Sequence, residues 1–381
     1  MKKNKKIFLV ISNSLGELDV ILPILNELKY KIKIVFTVRS IFKLYNKNIF
    51  YKNTLNSMKA KILFCKMESK FDNDYALKYK IFKIVLILKR YYYYFNFLIK
   101  NTDILSYNIF LHETSNQKYS TYIVRLICKL FKKKLIVYHH GHSFNQQAKK
   151  IINVNDSNYS DYLFACFTKY NIEWAKSIGF KNAKVIGFPS FYKNWVTYVK
   201  KYASINFNKK NYVLIFSRKP KHEFYMDEEK YIEMLDDCFD VLRSKMKDKK
   251  IFIKLHPREI NYSENIINNL IKKKKYSNIF IVDENSYILA NNADLVISFW
   301  TSAILFALAQ SSPAIEYYKE AKRFREAEPK GSLYKLFGIK SADNKNELIN
   351  FIEDVEKKNY KDPDIIKELI LEKNLNIFYE N

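Results

Sequence analysis

"ADLVISFWTSAILFALAQSSPAIEYY", residues 293 to 318, carries two short apolar runs, "ADLVISF" and "PAIEYY", separated by a stretch of helical length. The first run leads into a helix at Thr301 and Ser302, and Pro313 precedes the second. A strand, a crossover helix and a second strand in this order give parallel pairing. Working outward, the same alternation recurs: "YVLIFS", "KIFIKLHP" and "NIFIVD" precede it, with the helical "DEEKYIEMLDDCFDVLRSKM" between the first two. Before residue 200 the runs are residues 7 to 12, "KIKIVFTV", "KILFC", "NIFLH", "KLIVY", "YLFACF" and "KVIGF". The fold expected is therefore α/β, with two doubly wound, Rossmann-like domains. The polar stretch at 200–211 reads as the linker, which gives a first domain over 1–199, a second over 212–345, and a helical tail over 346–381. No internal repeat is present.

A chain of 381 residues that is 48% hydrophobic can bury a core of that size. Its four cysteines, Cys65, Cys128, Cys166 and Cys238, have no CxxC spacing, so neither a disulfide framework nor a zinc knuckle is indicated. A reducing cytoplasm fits best. The basic start "MKKNKKIFLVIS" meets Gly16, Glu17 and Asp19 too early for an export segment and reads as a first strand with its turn. "IFKIVLILKRYYYYFNFLIK" is interrupted by Lys83, Lys89 and Arg90, so a bilayer span is not expected. The formal net charge of +27 invites a polyanionic partner, although Lys, Asn, Ile, Tyr and Phe are abundant throughout, as in an AT-biased coding sequence.

With six glycines the sequence holds no GxGxxG and no GxxxxGK[ST], which removes a dinucleotide fingerprint and a Walker loop. Ligands of doubly wound sheets sit beyond the carboxyl ends of the strands, so the loops there are where chemistry is sought. "YHHGHSF" places His139, His140, Gly141 and His142 directly after "KLIV". "KLHPRE" ends another strand with Lys254, His256 and Arg258, a set able to donate to phosphate oxygens. Thr301 and Ser302, at the expected helix start, add hydroxyls where helix N–H groups favour an anion. Each has a plain structural alternative: a polar turn, a strand-ending turn with a buried histidine, and an ordinary N-cap.

Taken in order, "HHG", "IGFPSF", "KLHP" and the 293–318 segment resemble the GT-B transferases of bacterial surface polymers, most of all the CDP-glycerol glycerophosphotransferase and capsule-polysaccharide transferase group. The resemblance spans about residues 130 to 320. It implies two domains facing a central cleft and a metal-independent transfer of a sugar, or polyol phosphate, from a nucleotide-activated donor to a surface-glycan acceptor. It also implies His140 or His142 as catalytic base, with His139 and Gly141 orienting their loop. Lys254, His256, Arg258, Thr301, Ser302 and Glu316 are implied to hold the donor's phosphates and nucleotide. The implied donor is CMP- or CDP-linked, with UDP-linked donors next, and no further cofactor is implied. Phe299 and Phe306 depart from the pattern, standing where members of that group carry acidic residues.

Rival readings are a nucleotide-sugar 2-epimerase of the same fold, which needs no acceptor, and a non-catalytic nucleic-acid binder suggested by charge and by Tyr91 to Tyr94. No nucleic-acid-binding module pattern supports the latter. Two Asp-x-Asp triplets, at 72–74 and 362–364, read as a solvated turn and a helix start rather than as metal sites. From Lys78 to Lys100 there is no acidic residue among dense apolar and tyrosine side chains. That segment fits either a core helix or a surface meeting anionic lipid at the inner face of the cytoplasmic membrane, where acceptors of this class are commonly lipid-linked.

Overall fold

The computed structural model describes residues 5–67, 80–113, 119–138, 162–177, 179–207, 211–218, 226–256, 260–320, 322–327, 331–366 and 373–379. The chain forms two compact units, Met1–Pro189 with Glu372–Asn381, and Ser190–Leu371.

The first unit is built on seven strands: β1 (Lys6–Ile11), β2 (Lys31–Phe36), β3 (Lys61–Phe64), β4 (Ile109–Glu113), β5 (Lys134–Tyr138), β6 (Leu163–Cys166) and β7 (Asn182–Val185). All pair in parallel, in the order β3-β2-β1-β4-β5-β6-β7. Most of these strands are apolar runs rather than alternating ones, because helices cover both faces of such a sheet. Phe8, Val10, Phe110, Val137 and Phe164 meet on one side in a single buried cluster. The first helix runs from Glu17 to Leu28 with Pro23 inside it, so the Asp19 carbonyl forgoes the N–H of residue 23.

The second unit holds β8 (Tyr212–Phe216), β9 (Lys250–Lys254), β10 (Ile279–Val282), β11 (Leu295–Ser298), β12 (Ala314–Tyr317) and the two-residue β13 (Ser341–Ala342), which the sequence did not reveal. Their order is β10-β9-β8-β11-β12-β13, again all parallel. Register places Val282, Lys254, Phe216, Ser298, Glu316 and Ser341 in one row across the six strands. Everything after that row belongs to the carboxyl edge. The four cysteines are buried and unpaired.

The expected linker is instead largely helical. Residues 193–206 form one helix in which Trp195, Val199 and Ala203, spaced four apart, are buried. Its Lys- and Asn-rich outer face is what reads as linker. Trp195 meets Tyr287 edge-on at 5.4 Å, the Ser190 and Tyr287 hydroxyls hydrogen-bond at 3.0 Å, and Asn292 donates to the Phe207 carbonyl at 2.9 Å. The change of unit therefore falls at Pro189 and Ser190 rather than after residue 199.

The expected tail also divides. Residues up to Leu371 belong to the second unit, and the last ten return to the first. There the Asn374 amide donates to the Ile186 carbonyl at 3.1 Å and Lys373 pairs with Glu27 at 2.8 Å.

If the 193–206 helix is a structural part of the second unit, Trp195→Ala leaves a large cavity and lowers stability by roughly 3–5 kcal/mol. Urea denaturation measures it. A loss below about 0.5 kcal/mol, typical of a surface position, is the result a linker would give.

Candidate functional site

Both sheets reverse their strand order once, between β1 and β4 and between β8 and β11. A crevice opens at such a reversal because the connections on its two sides leave in opposite directions. Each reversal in this chain carries a polar cluster.

In the second unit Arg218 lies two residues beyond β8, and Phe299 to Ser302 follow β11 directly. Trp300 has φ +45°, an uncommon conformation for a bulky side chain. Arg218 holds it there twice: Nη1 donates to the Trp300 carbonyl at 2.9 Å, and the guanidinium carbon lies 4.3 Å from the indole centroid. Tyr318 stacks on the same indole at 5.6 Å and Phe324 meets it edge-on at 5.3 Å. The turned backbone brings the Thr301 carbonyl to the Ser298 hydroxyl, which donates at 3.1 Å.

Thr301 and Ser302 do not start the helix, which runs from Ile304 to Ala309 after an Ala303 cap. They occupy the turn before it. The Ala303 amide donates to the Thr301 hydroxyl at 3.4 Å, and Ser302 is hydrogen-bonded to the buried Tyr334 phenol. Lys254 ends β9, two strands from β11 and so about 10 Å from Ser298 at the usual strand spacing. Its Nζ donates to Asp283 at 2.8 Å. His256 follows and is half-buried, and Arg258 lies outside the described residues.

Glu316 is wholly buried in β12 itself. Ser332 and Ser341 donate to its two carboxyl oxygens at 2.7 and 3.0 Å, and burial pushes its pKa up to about 7. The preceding Gly331 has φ +83°, and a Cβ there would come to 3.0 Å from Glu320 Oε1, which accepts the Ser332 N–H at 2.9 Å.

In the first unit the loop after β1 closes on the side chain of Glu17. Its Oε1 accepts the backbone N–H groups of Ser12, Asn13 and Ser14 at 3.2, 2.6 and 3.0 Å. The Tyr138 hydroxyl at the end of β5 donates to Oε2 at 3.5 Å, and the Asn13 amide donates to Glu113 at 3.3 Å. Glu17 and Glu113 are both fully buried. Burial, followed by the negative charge of Glu113, pushes the Glu17 pKa up to about 8 against the opposing effect of the three amides. Beside them His112 is held neutral, pushed down to about 3 by burial and by Arg125, whose Nε donates to its Nε2 at 3.3 Å.

His139, His140, Gly141 and His142 lie outside the described residues, immediately after Tyr138. Among the described residues no group of three or more His, Cys, Asp or Glu side chains could hold a metal ion. The triplet at 72–74 is outside them too. Sequence reading missed Arg218, Glu17 and Glu113. For Arg218 and Glu113 the signal was a charged residue at the end of an apolar run, as in "IFSR" and "NIFLHE"; Glu17, six residues beyond Ile11, carried none.

No protein-family model matches the sequence, and no curated protein is similar to it. Solved structures are similar over nearly the whole length. UDP-GlcNAc 2-epimerase from Rickettsia bellii is 14% identical, with 98% of this chain and 96% of that one covered and a TM-score of 0.59. The Methanocaldococcus jannaschii UDP-GlcNAc 2-epimerase, in complex with UDP-GlcNAc and UDP, is 16% identical over 94% and 95%, at 0.57. Anabaena Alr3699/HepE, in complex with UDP and glucose, is 10% identical over 99% and 98%, at 0.54. The fold is GT-B. At these identities the likeness concerns architecture alone.

The Glu17 carboxyl links stability to pH. A folded-state pKa raised from 4.5 to about 8 gives stability that is fully present below the unfolded value and lost as pH rises through the folded one. Glu316 acts in the same direction, whereas His112 contributes above its free value and loses that contribution as pH falls. Glu17→Gln removes one of these groups. The stability advantage of the natural chain over the variant, measured in urea, should shrink between about pH 5 and about pH 8 by a few kcal/mol in order of magnitude. A gap that stays constant or widens contradicts the buried, protonated Glu17.

Proposed function

We propose that the chain acts on a nucleotide-activated sugar and changes the configuration of one sugar carbon, as an epimerase. The observation that carries this reading is the buried pair Glu17 and Glu113 at the β1/β4 reversal. Inverting a carbon takes a proton from one face and returns one to the other, so it needs two acid–base groups in different protonation states. Burial and the neighbouring Glu113 raise the Glu17 pKa to about 8, so a carboxyl able to donate a proton stands beside a second carboxyl. The similar UDP-GlcNAc 2-epimerases support the same class of reaction.

The nucleotide is assigned to the carboxyl edge of β8, β9 and β11. Arg218 and Lys254 offer cationic donors there, and Thr301 and Ser302 offer hydroxyls. Uridine diphosphate takes precedence over the cytidine nucleotides that the motif resemblance implied, since two of the similar structures are complexes containing UDP. Nothing in the comparisons favours the CDP-glycerol group itself. Glycosyl transfer remains the second reading, supported by the order of "HHG", "KLHP" and the 293–318 segment.

Incubation with UDP-GlcNAc in D2O, without any acceptor, separates the two. The proposal expects a second sugar isomer carrying one solvent deuteron at the inverted carbon. Nucleotide release that strictly requires a glycan acceptor, with no deuterium in the recovered sugar, contradicts it and favours transfer.

A further inference from the structure

The helix Lys80–Lys100 presents two apolar faces. Tyr93 and Phe97 are buried, and Phe97 meets Phe8 of β1 edge-on at 6.1 Å. The opposite face is open to water. Leu88, Tyr91, Tyr92, Phe95, Leu98 and Ile99 are between 42% and 66% exposed. Their spacing confines them to an arc of about 120° on a helix of 3.6 residues per turn.

The helix Tyr119–Leu130 packs beside it and extends this surface. Tyr94 of the first helix stacks on Tyr122 of the second at 6.3 Å and 13°. Tyr122, Leu126 and Leu130, spaced four apart, are exposed, as is Phe131 beyond them. An exposed apolar patch of several large side chains in series marks an interaction surface rather than scattered exposure.

Charge selects the partner. Neither helix contains an acidic residue, while Lys89, Lys100, Lys129 and Lys132 are exposed on and around them. A second copy docked face to face would set these cations against their equivalents with no carboxylate to answer them. Phosphate headgroups provide the opposite charge. Tyrosine rings also settle at the depth where headgroups meet acyl chains. Among the described residues no helix is long and apolar enough to cross a membrane, so the contact is one of lying on the surface.

We propose that the paired helices 80–100 and 119–130 form a peripheral docking face for an anionic lipid bilayer. The aromatic arc enters the interface and the flanking lysines meet the headgroups. This surface is independent of the sugar chemistry proposed above.

Flotation with phosphatidylcholine vesicles, with and without added phosphatidylglycerol, tests it at ~0.1 M and ~1 M salt, which shorten the screening length from about 10 Å to about 3 Å. The full chain should float with the anionic vesicles at low salt, and far less at high salt or with phosphatidylcholine alone. Lys129→Ala with Lys132→Ala should lower partitioning about fivefold per lysine. Tyr91→Ser with Phe95→Ser should abolish it while thermal unfolding stays unchanged, because both positions are exposed.

Absence of flotation with anionic vesicles at low salt overturns the proposal, as does binding indifferent to lipid charge. So does a dimer in solution that the Tyr91→Ser and Phe95→Ser pair dissociates without any vesicle binding, which would assign the face to a second copy.

Discussion

A parallel strand covered by helices on both faces can carry little but apolar side chains, and that burial confines the polar chemistry of the chain to one edge of each sheet. In the second unit the row from Val282 to Ser341 is the boundary. Before it the strands are core; after it come Asp283, His256, Arg218 and the turn from Phe299 to Ser302. The first unit repeats the arrangement with Glu17, Glu113 and Tyr138 at its own reversal. Glu316 is an exception that its neighbours explain: two serine hydroxyls and a raised pKa make a carboxyl tolerable inside the sheet.

Two local features hold these edges in shape. Trp300 sits in a left-handed conformation that costs on the order of 1–3 kcal/mol, and it persists because Arg218, Tyr318 and Phe324 fix its carbonyl and its ring together. The strain directs Thr301 and Ser302 into the turn at the strand end. In the first unit the Glu17 carboxyl gathers three consecutive backbone amides, so a side chain of the helix defines the loop that precedes it. Arg218 and Glu17 thus hold the shape of the edges to which chemistry is proposed, which is why variants of either need a stability measurement beside a functional one.

Among the described residues most strands were legible because each is a short apolar run bounded by polar turns, a pattern that both-sided burial imposes, whereas β7 shares only Lys184 and Val185 with the run "KVIGF". The two-residue β13 has too little length to leave such a pattern. The 193–206 helix was misread because its surface residues dominate the composition, while Trp195, Val199 and Ala203 carry the packing signal. Lys254, Thr301 and Ser302 were found as charges or hydroxyls at strand ends, and the structure places them on one sheet edge. The Glu17 and Glu113 pair was hidden for another reason. Glu17 opens the first helix while Glu113 ends β4, and the contact of Asn13 with Glu113 bridges 100 residues of sequence. No local spacing encodes that.

The central claim is that the carboxyl edge of β8, β9 and β11 receives the nucleotide. Amide hydrogen exchange with and without UDP, read by peptide mass spectrometry, addresses it without any substitution. The account predicts that UDP slows exchange in the segments around Ser217–Arg218, Leu255–His256 and Trp300–Ala303. Saturating UDP that leaves all three unchanged, or that protects only segments away from this edge, would contradict it.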